Sequence, residues 1–128
     1  AAPQLMFPRI LDRFRSGAQV KATAFIQAWE QLRRLRAAFV ARMTGFDALL
    51  IPTSPILPPN ARRLLTDDAY YVTENLLALR NTRLGNLLDL TCLTLPTSQP
   101  ACGLSLMAAP GREWQLLRMG LSAERALR

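Results

Sequence analysis

The sequence predicts an α/β layer structure whose sheet is only partly covered. Two observations predict it. A long helical pattern precedes three short, strongly apolar strand patterns, each bounded by glycine or proline. Three such strands cannot bury both of their faces by themselves, and apolar strands of this kind sit in sheets covered on two sides.

The long helix is expected over residues 18–44. Phe25, Trp29, Leu32, Leu35 or Arg36, Phe39 and Met43 recur at three- and four-residue steps and form one apolar stripe. Gly45 supplies the stop. Phe46-Asp47-Ala48-Leu49-Leu50-Ile51 then reads as a buried strand over 46–51, closed by Pro52. Four prolines between Pro52 and Pro59 remove the backbone donors that a helix or central strand requires, so the chain leaves the strand as a stiff loop.

Thr66-Asp67-Asp68 predicts a helix start, with Thr66 as the capping hydroxyl and two carboxylates beside the positive end of the dipole, and a helix over 66–83. Leu90–Leu95 and Gly103–Met107 alternate and end on breakers, so they predict an antiparallel hairpin over 90–107. A closing helix over 112–127 turns Leu116, Leu117, Met119 or Gly120, Ala123 and Leu127 inward. Cys92 and Cys102 are expected as small core residues, with a disulfide the less favoured outcome.

Composition narrows the chemistry. The chain has 128 residues and a formal net charge of +7. Residues 1–63 hold ten basic groups against Asp12, Glu30 and Asp47, whereas residues 64–128 balance six against six. A basic first half fits contact with nucleic acid or an anionic surface, and equally a missing acidic partner surface or a solvated helix face. There is no histidine, so no Ser-His-Asp or Cys-His arrangement exists, and without a CxxC pair no metal site is expected. No glycine-rich phosphate loop is present and no cofactor is expected. Asp67-Asp68 is explained by the helix start, and no serine pair lies ready for Lys21, the only lysine, to activate. No apolar run approaches the roughly 20 residues of a membrane span, and the opening residues lack both a signal-peptide pattern and an initiator Met. A cytoplasmic protein cut from a longer one is therefore expected, with no membrane and no nucleic acid as partner.

Phe46–Thr53 resembles the D-x-L-x-x-P-T strand and loop of the amidase signature family. Arg80–Asn86 with Leu93-Thr94-Leu95-Pro96, and Gly103–Pro110 with Leu116-Leu117 and Glu124 behind it, are similar to two later segments of that family in the same order. The resemblance implies that residues 1–128 are the C-terminal portion of a mixed α/β/α sandwich, with about three strands and three to four helices. It also implies a parent amidase, hydrolysing C–N bonds other than peptide bonds with a nucleophilic serine, a second serine in a cis peptide, and a lysine base. Those groups precede the matched region, so this part completes the sheet, shapes the substrate pocket and is inactive alone. The implied partners are the missing N-terminal part and a small-molecule amide, and the apolar sheet face that truncation would expose leads one to expect a homodimer. Departures fall where the family has Gly-Leu-Pro, here Leu88-Asp89-Leu90-Thr91, and where it has Pro-Val, here Ala101-Cys102.

Thr53, Arg80 and Asn86 are the residues singled out for the pocket. Thr53 follows a strand end, where α/β sheets carry ligand loops, although a turn hydroxyl is the plainer role. Arg80 suits a substrate carboxylate as well as a surface pair, and Asn86 suits a pocket wall as well as a bond across a tight turn. The alternatives are a basic nucleic-acid or anionic-surface binding module, and a degenerate scaffold subunit that keeps the fold.

Overall fold

The computed structural model describes residues 2–127, which fall into two compact units divided after Leu35. The fold is mixed α/β, with six α-helices and one three-stranded sheet among the described residues.

In the first unit, α1 (Pro8–Ser16) opens on a proline at the first helical position, where its missing N–H costs nothing. Phe7 and Phe14 stand exposed on it. A single 3₁₀ turn at Gly17–Gln19 and extended Val20 separate α1 from the long helix α2 (Ala22–Arg42), so that helix is shorter at both ends than the 18–44 expected. Phe25 and Trp29 meet edge to face at 6.2 Å, and both rings remain exposed.

The second unit begins within α2. Gly45 adopts φ 88°, the left-handed region that glycine enters freely, and ends the turn after the helix. Strand β1 is Leu49–Pro52, not 46–51. Phe46 belongs to the preceding turn, where its N–H bonds Met43, and Asp47 accepts a bond from Gln115. Pairing therefore starts only at Leu49.

The stretch expected as one helix over 66–83 is three. Asn60 caps α3 (Ala61–Thr66) by accepting from the Arg63 N–H at 3.0 Å. Thr66 ends α3 and does not cap its successor. Asp67 caps α4 (Asp68–Ala78), accepting from the Tyr70 N–H at 2.9 Å. Its carboxylate also takes Arg63 at 3.1 Å, and the Arg63 guanidinium lies over the Tyr70 ring at 4.1 Å. A carboxylate serves the cap better than the adjacent hydroxyl because it gains this charge-assisted pair as well. Leu79 breaks the ladder, and α5 (Arg80–Leu88) continues through Gly85 to a cap at Asp89, φ 60°. Arg36 holds that cap, donating to the Leu87 carbonyl at 2.8 Å with Asp89 3.7 Å away.

The hairpin is present: β2 (Thr91–Pro96) and β3 (Gly103–Ala108) pair antiparallel, Thr94 facing Ser105. β1 pairs with the other side of β3, giving the order β1-β3-β2 with both outer strands unpaired on one side. On one sheet face Leu95, Leu106 and Ala108 pack against Leu116 of α6 (Glu113–Ala126), which forms the core. Leu117, one residue further round the helix, is exposed, contrary to the inward position expected of it. Gly120 lets α6 down onto the sheet, because a Cβ there would collide with Leu93. On the other face Gly85 brings α5 against Cys92 and Met107 in the same way.

Both cysteines are free and exposed, contrary to the core role expected of them. Cys92 lies on the outer strand β2 and Cys102 in the turn before β3, so neither is enclosed from both sides. Only five hydrophobic side chains of the described residues are buried, while thirteen large ones in the second unit alone stay exposed, Phe46, Leu50, Leu57 and Trp114 among them.

Candidate functional site

Strand alternation places Thr53, Thr94 and Ser105 on one face, because Ser105 lies opposite both Ile51 and Thr94, and Thr53 is two residues beyond Ile51. Their hydroxyls form a chain across the sheet. Ser105 Oγ lies 2.7 Å from Thr53 Oγ1 and 3.0 Å from Thr94 Oγ1. Ser105 is 2% exposed, Thr53 half-buried and Thr94 exposed.

The end of β1 is held from two sides. The Thr53 N–H donates to the Gly103 carbonyl at 2.8 Å, and Asn81 of α5 donates from Nδ2 to the Pro52 carbonyl at 2.8 Å. Gly103 is required for this approach: a Cβ there would stand 3.0 Å from Thr53 Oγ1 and 3.4 Å from Thr94 Cγ2. Beyond these residues opens a groove of about 330 Å³ between residues 52–57 and 101–103. Thr53 and Ser54 supply its hydroxyls and Cys102 a thiol, Ile56 and Leu57 supply apolar surface, and no Lys, Arg, Asp or Glu lines it.

A second recess of about 350 Å³ lies between the turn after α2 and the start of α6. There Arg112 donates to Gln115 Oε1 at 3.1 Å and Gln115 donates to Asp47 at 2.7 Å. This chain of side chains fastens α6 to the segment ahead of β1. Asp47 thus pairs with an amide.

Of the three residues singled out from sequence, only Thr53 lines the groove. Arg80 is exposed at the first position of α5, and Asn86 is exposed near its other end. Asn86 lies within α5, and its carbonyl accepts from the Asp89 N–H in the last turn of that helix. Arg83, between them, carries a buried Nη2 with no hydrogen-bond partner.

Two groups near this sheet titrate away from their ordinary values. Burial beneath α5 pushes the Cys92 thiol up; the residue is exposed, but its sulfur is tucked under Gly85 and points to the Leu90 carbonyl at 3.6 Å. Glu113 is held low by its own backbone N–H first, and then by Thr91, which donates at 3.0 Å. Neither supplies a base for Ser105, whose two partners are hydroxyls that do not accept its proton at neutral pH.

Over 121 residues, 91% of its length, the chain is 32% identical to the 2-amino-5-chloromuconic acid deaminase of Comamonas testosteroni. It spans about a quarter of that protein, 26% of its length. No family model matches the chain, and no solved structure does. No helix among the described residues is long and apolar enough to cross a membrane.

Ser105, Thr94 and Asn81 escaped the sequence reading. Ser105 carried a signal, as a polar residue inside the apolar run Gly103–Met107, and the hairpin register alone sets Thr94 opposite it. Asn81 carried none, because its partner is a backbone carbonyl 29 residues away.

Proposed function

We propose that this chain is the sheet-completing, pocket-shaping part of an enzyme that cleaves a C–N bond in a small molecule. The observation that carries this proposal is the open sheet: two unpaired strand edges and a surplus of exposed over buried large hydrophobics, in a chain 32% identical to a deaminase of which it spans 26%. Deamination and amide hydrolysis both release nitrogen from carbon, which agrees with the resemblance of Phe46–Thr53 and Gly103–Pro110 to the amidase signature family. The reacting serines and the lysine are assigned to polypeptide outside this chain. Thr53, Arg80 and Asn86 are the residues of this chain assigned to the pocket wall, Thr53 on the groove it lines.

The test is ammonia release from small primary amides and amino-substituted unsaturated acids. The 128-residue chain should release none. Joined to the first three quarters of a serine-lysine amidase of the same family, the chain should support release that vanishes when the lysine is changed to alanine. Release by the chain alone, or release from the joined protein that is indifferent to that lysine, would refute the proposal.

A further inference from the structure

The two outer strands of the sheet do not offer equal edges. Backbone groups of an antiparallel strand point alternately to one neighbour and to the other. On β2 the Thr97 N–H bonds the Cys102 carbonyl, one step beyond the Pro96–Gly103 pair, so Thr91, Leu93 and Leu95 turn their groups to β3. Cys92 and Thr94 therefore each present an N–H and a carbonyl to the open side. On β1 the Thr53 N–H bonds Gly103, which leaves Leu50 and Pro52 facing outward. Pro52 has no N–H, and Asn81 already occupies its carbonyl. Natural edges are guarded by charge or by a proline within the strand. Residues 91–95 carry neither.

The β2 edge matches a copy of itself. A two-fold axis at Leu93 sets Cys92 of each strand opposite Thr94 of the other, and every outward N–H and carbonyl of these residues is then paired. With the axis at Thr94, Cys92 would face Pro96, which has no N–H to give to the Cys92 carbonyl. With the axis at Cys92, Thr94 would face Leu90, whose N–H is already taken by the Gly85 carbonyl. Pairing about Leu93 avoids both losses, because Leu90 and Pro96 then face each other. The two Leu93 side chains meet directly across the axis, and no charged residues oppose one another along the edge.

The flanking helix permits this approach. Leu93 and Leu95 of β2 and Leu106 and Ala108 of β3 lie beneath α6, so its axis runs between the two strands. With strands about 4.8 Å apart, the α6 helices of two joined copies stand about 10 Å apart, an ordinary helix packing distance. Glu113 accepts from Thr91 of β2, which fixes the side of α6 that overhangs this edge. Leu117 and Leu121 follow Glu113 at four-residue steps along that side, both exposed. Charge does not oppose the contact either: residues 64–128 balance six basic groups against six acidic ones, and the excess of +7 lies outside them.

We propose that the partner of the β2 edge is a second copy of this chain, joined about a two-fold axis at Leu93 into one six-stranded antiparallel sheet, with Leu117 and Leu121 of the two α6 helices packed together. The assignment stands apart from the C–N-cleaving reading and is read by association, not by turnover.

Sedimentation of the 128-residue chain over a concentration series should show a monomer–dimer equilibrium. Amide hydrogen exchange followed by NMR should show the Cys92 and Thr94 N–H groups protected in the dimer, while that of Leu50 exchanges fast. Thr94→Pro removes an outward N–H and spares the bonds to β3, so it should weaken the dimer about tenfold or more. Thr94→Val loses the hydroxyl alone and should dimerise as before. Leu121→Arg, which leaves the strand intact, should weaken the dimer, whereas Leu50→Ser with Leu57→Ser should not. A chain that stays monomeric, a dimer whose Cys92 and Thr94 amides exchange as fast as that of Leu50, or a Leu121→Arg chain that dimerises as tightly would each overturn the assignment. Joined to the first three quarters of a serine-lysine amidase, the chain should still dimerise; a monomeric joined protein would give this edge to the parent's own polypeptide and overturn the assignment.

Discussion

Gly120 is the point at which α6 touches the sheet, and Gly120→Ala tests whether that contact sets the helix position. Two opposed effects have comparable size. Alanine in a helix interior is favoured over glycine by about 0.5–1 kcal/mol. Against this, a Cβ at position 120 collides with Leu93 Cδ2 and stands 3.8 Å from Leu95 Cδ2. Overpacking of this kind costs about 1–3 kcal/mol. The clash outweighs the helix preference, so the variant should be less stable by up to about 2.5 kcal/mol. Urea unfolding followed by circular dichroism reads this as a lower midpoint at an unchanged slope. Removing the obstacle reverses the sign: in a Leu93→Ala background, Gly120→Ala should raise the stability by about 0.5–1 kcal/mol, because only the helix preference remains. A stabilising Gly120→Ala in the unaltered chain would refute the close seating of α6.

Three further outcomes follow from the same contacts. Leu116 is 1% exposed at the centre of the small core, so Leu116→Ala should cost about 2–5 kcal/mol in the same urea assay, whereas Leu117→Ala, 47% exposed, should cost far less. Asp67 is held below its ordinary value of 3.8 by the Tyr70 N–H first and then by Arg63. Its contribution is therefore complete above the unfolded value and is lost as the pH falls through the lower folded value; the stability gap between the chain and Asp67→Asn should close below about pH 4, checked by unfolding across pH 2–6. Burial raises the Cys92 thiol, so its alkylation by iodoacetamide should need a higher pH than an unstructured cysteine peptide, and Gly85→Ala, which crowds the same sulfur, should change that rate.

Much of the fold was legible because it is local. The hairpin followed from alternation between breakers, and the closing helix from three- and four-residue spacing, and both stand within two residues of their expected bounds. Errors arose where a tertiary contact overrode a local signal. Gly85 reads as a helix stop, yet the helix passes through it because the missing side chain admits Cys92. The true stop, Asp89 at φ 60°, is fixed by Arg36, distant in sequence. Thr66 and Asp67 both look like caps, and the choice fell to the one that also reaches Arg63. Likewise Thr53 was legible as a residue after a strand end. The two hydroxyls that orient it were not, because the contact joins three strands.

The central claim is that Leu50, Leu57 and Phe46, together with the free edges of β1 and β2, are surfaces meant to lie under further polypeptide. Fluorescence of an apolar dye such as anilinonaphthalene sulfonate tests it most directly, read against a fully covered protein of equal mass. The expected result is strong, saturable enhancement by the native chain that falls when Leu50 and Leu57 are changed to serine. A native monomer that leaves the dye dark would contradict it, since these side chains would then be covered by the chain itself.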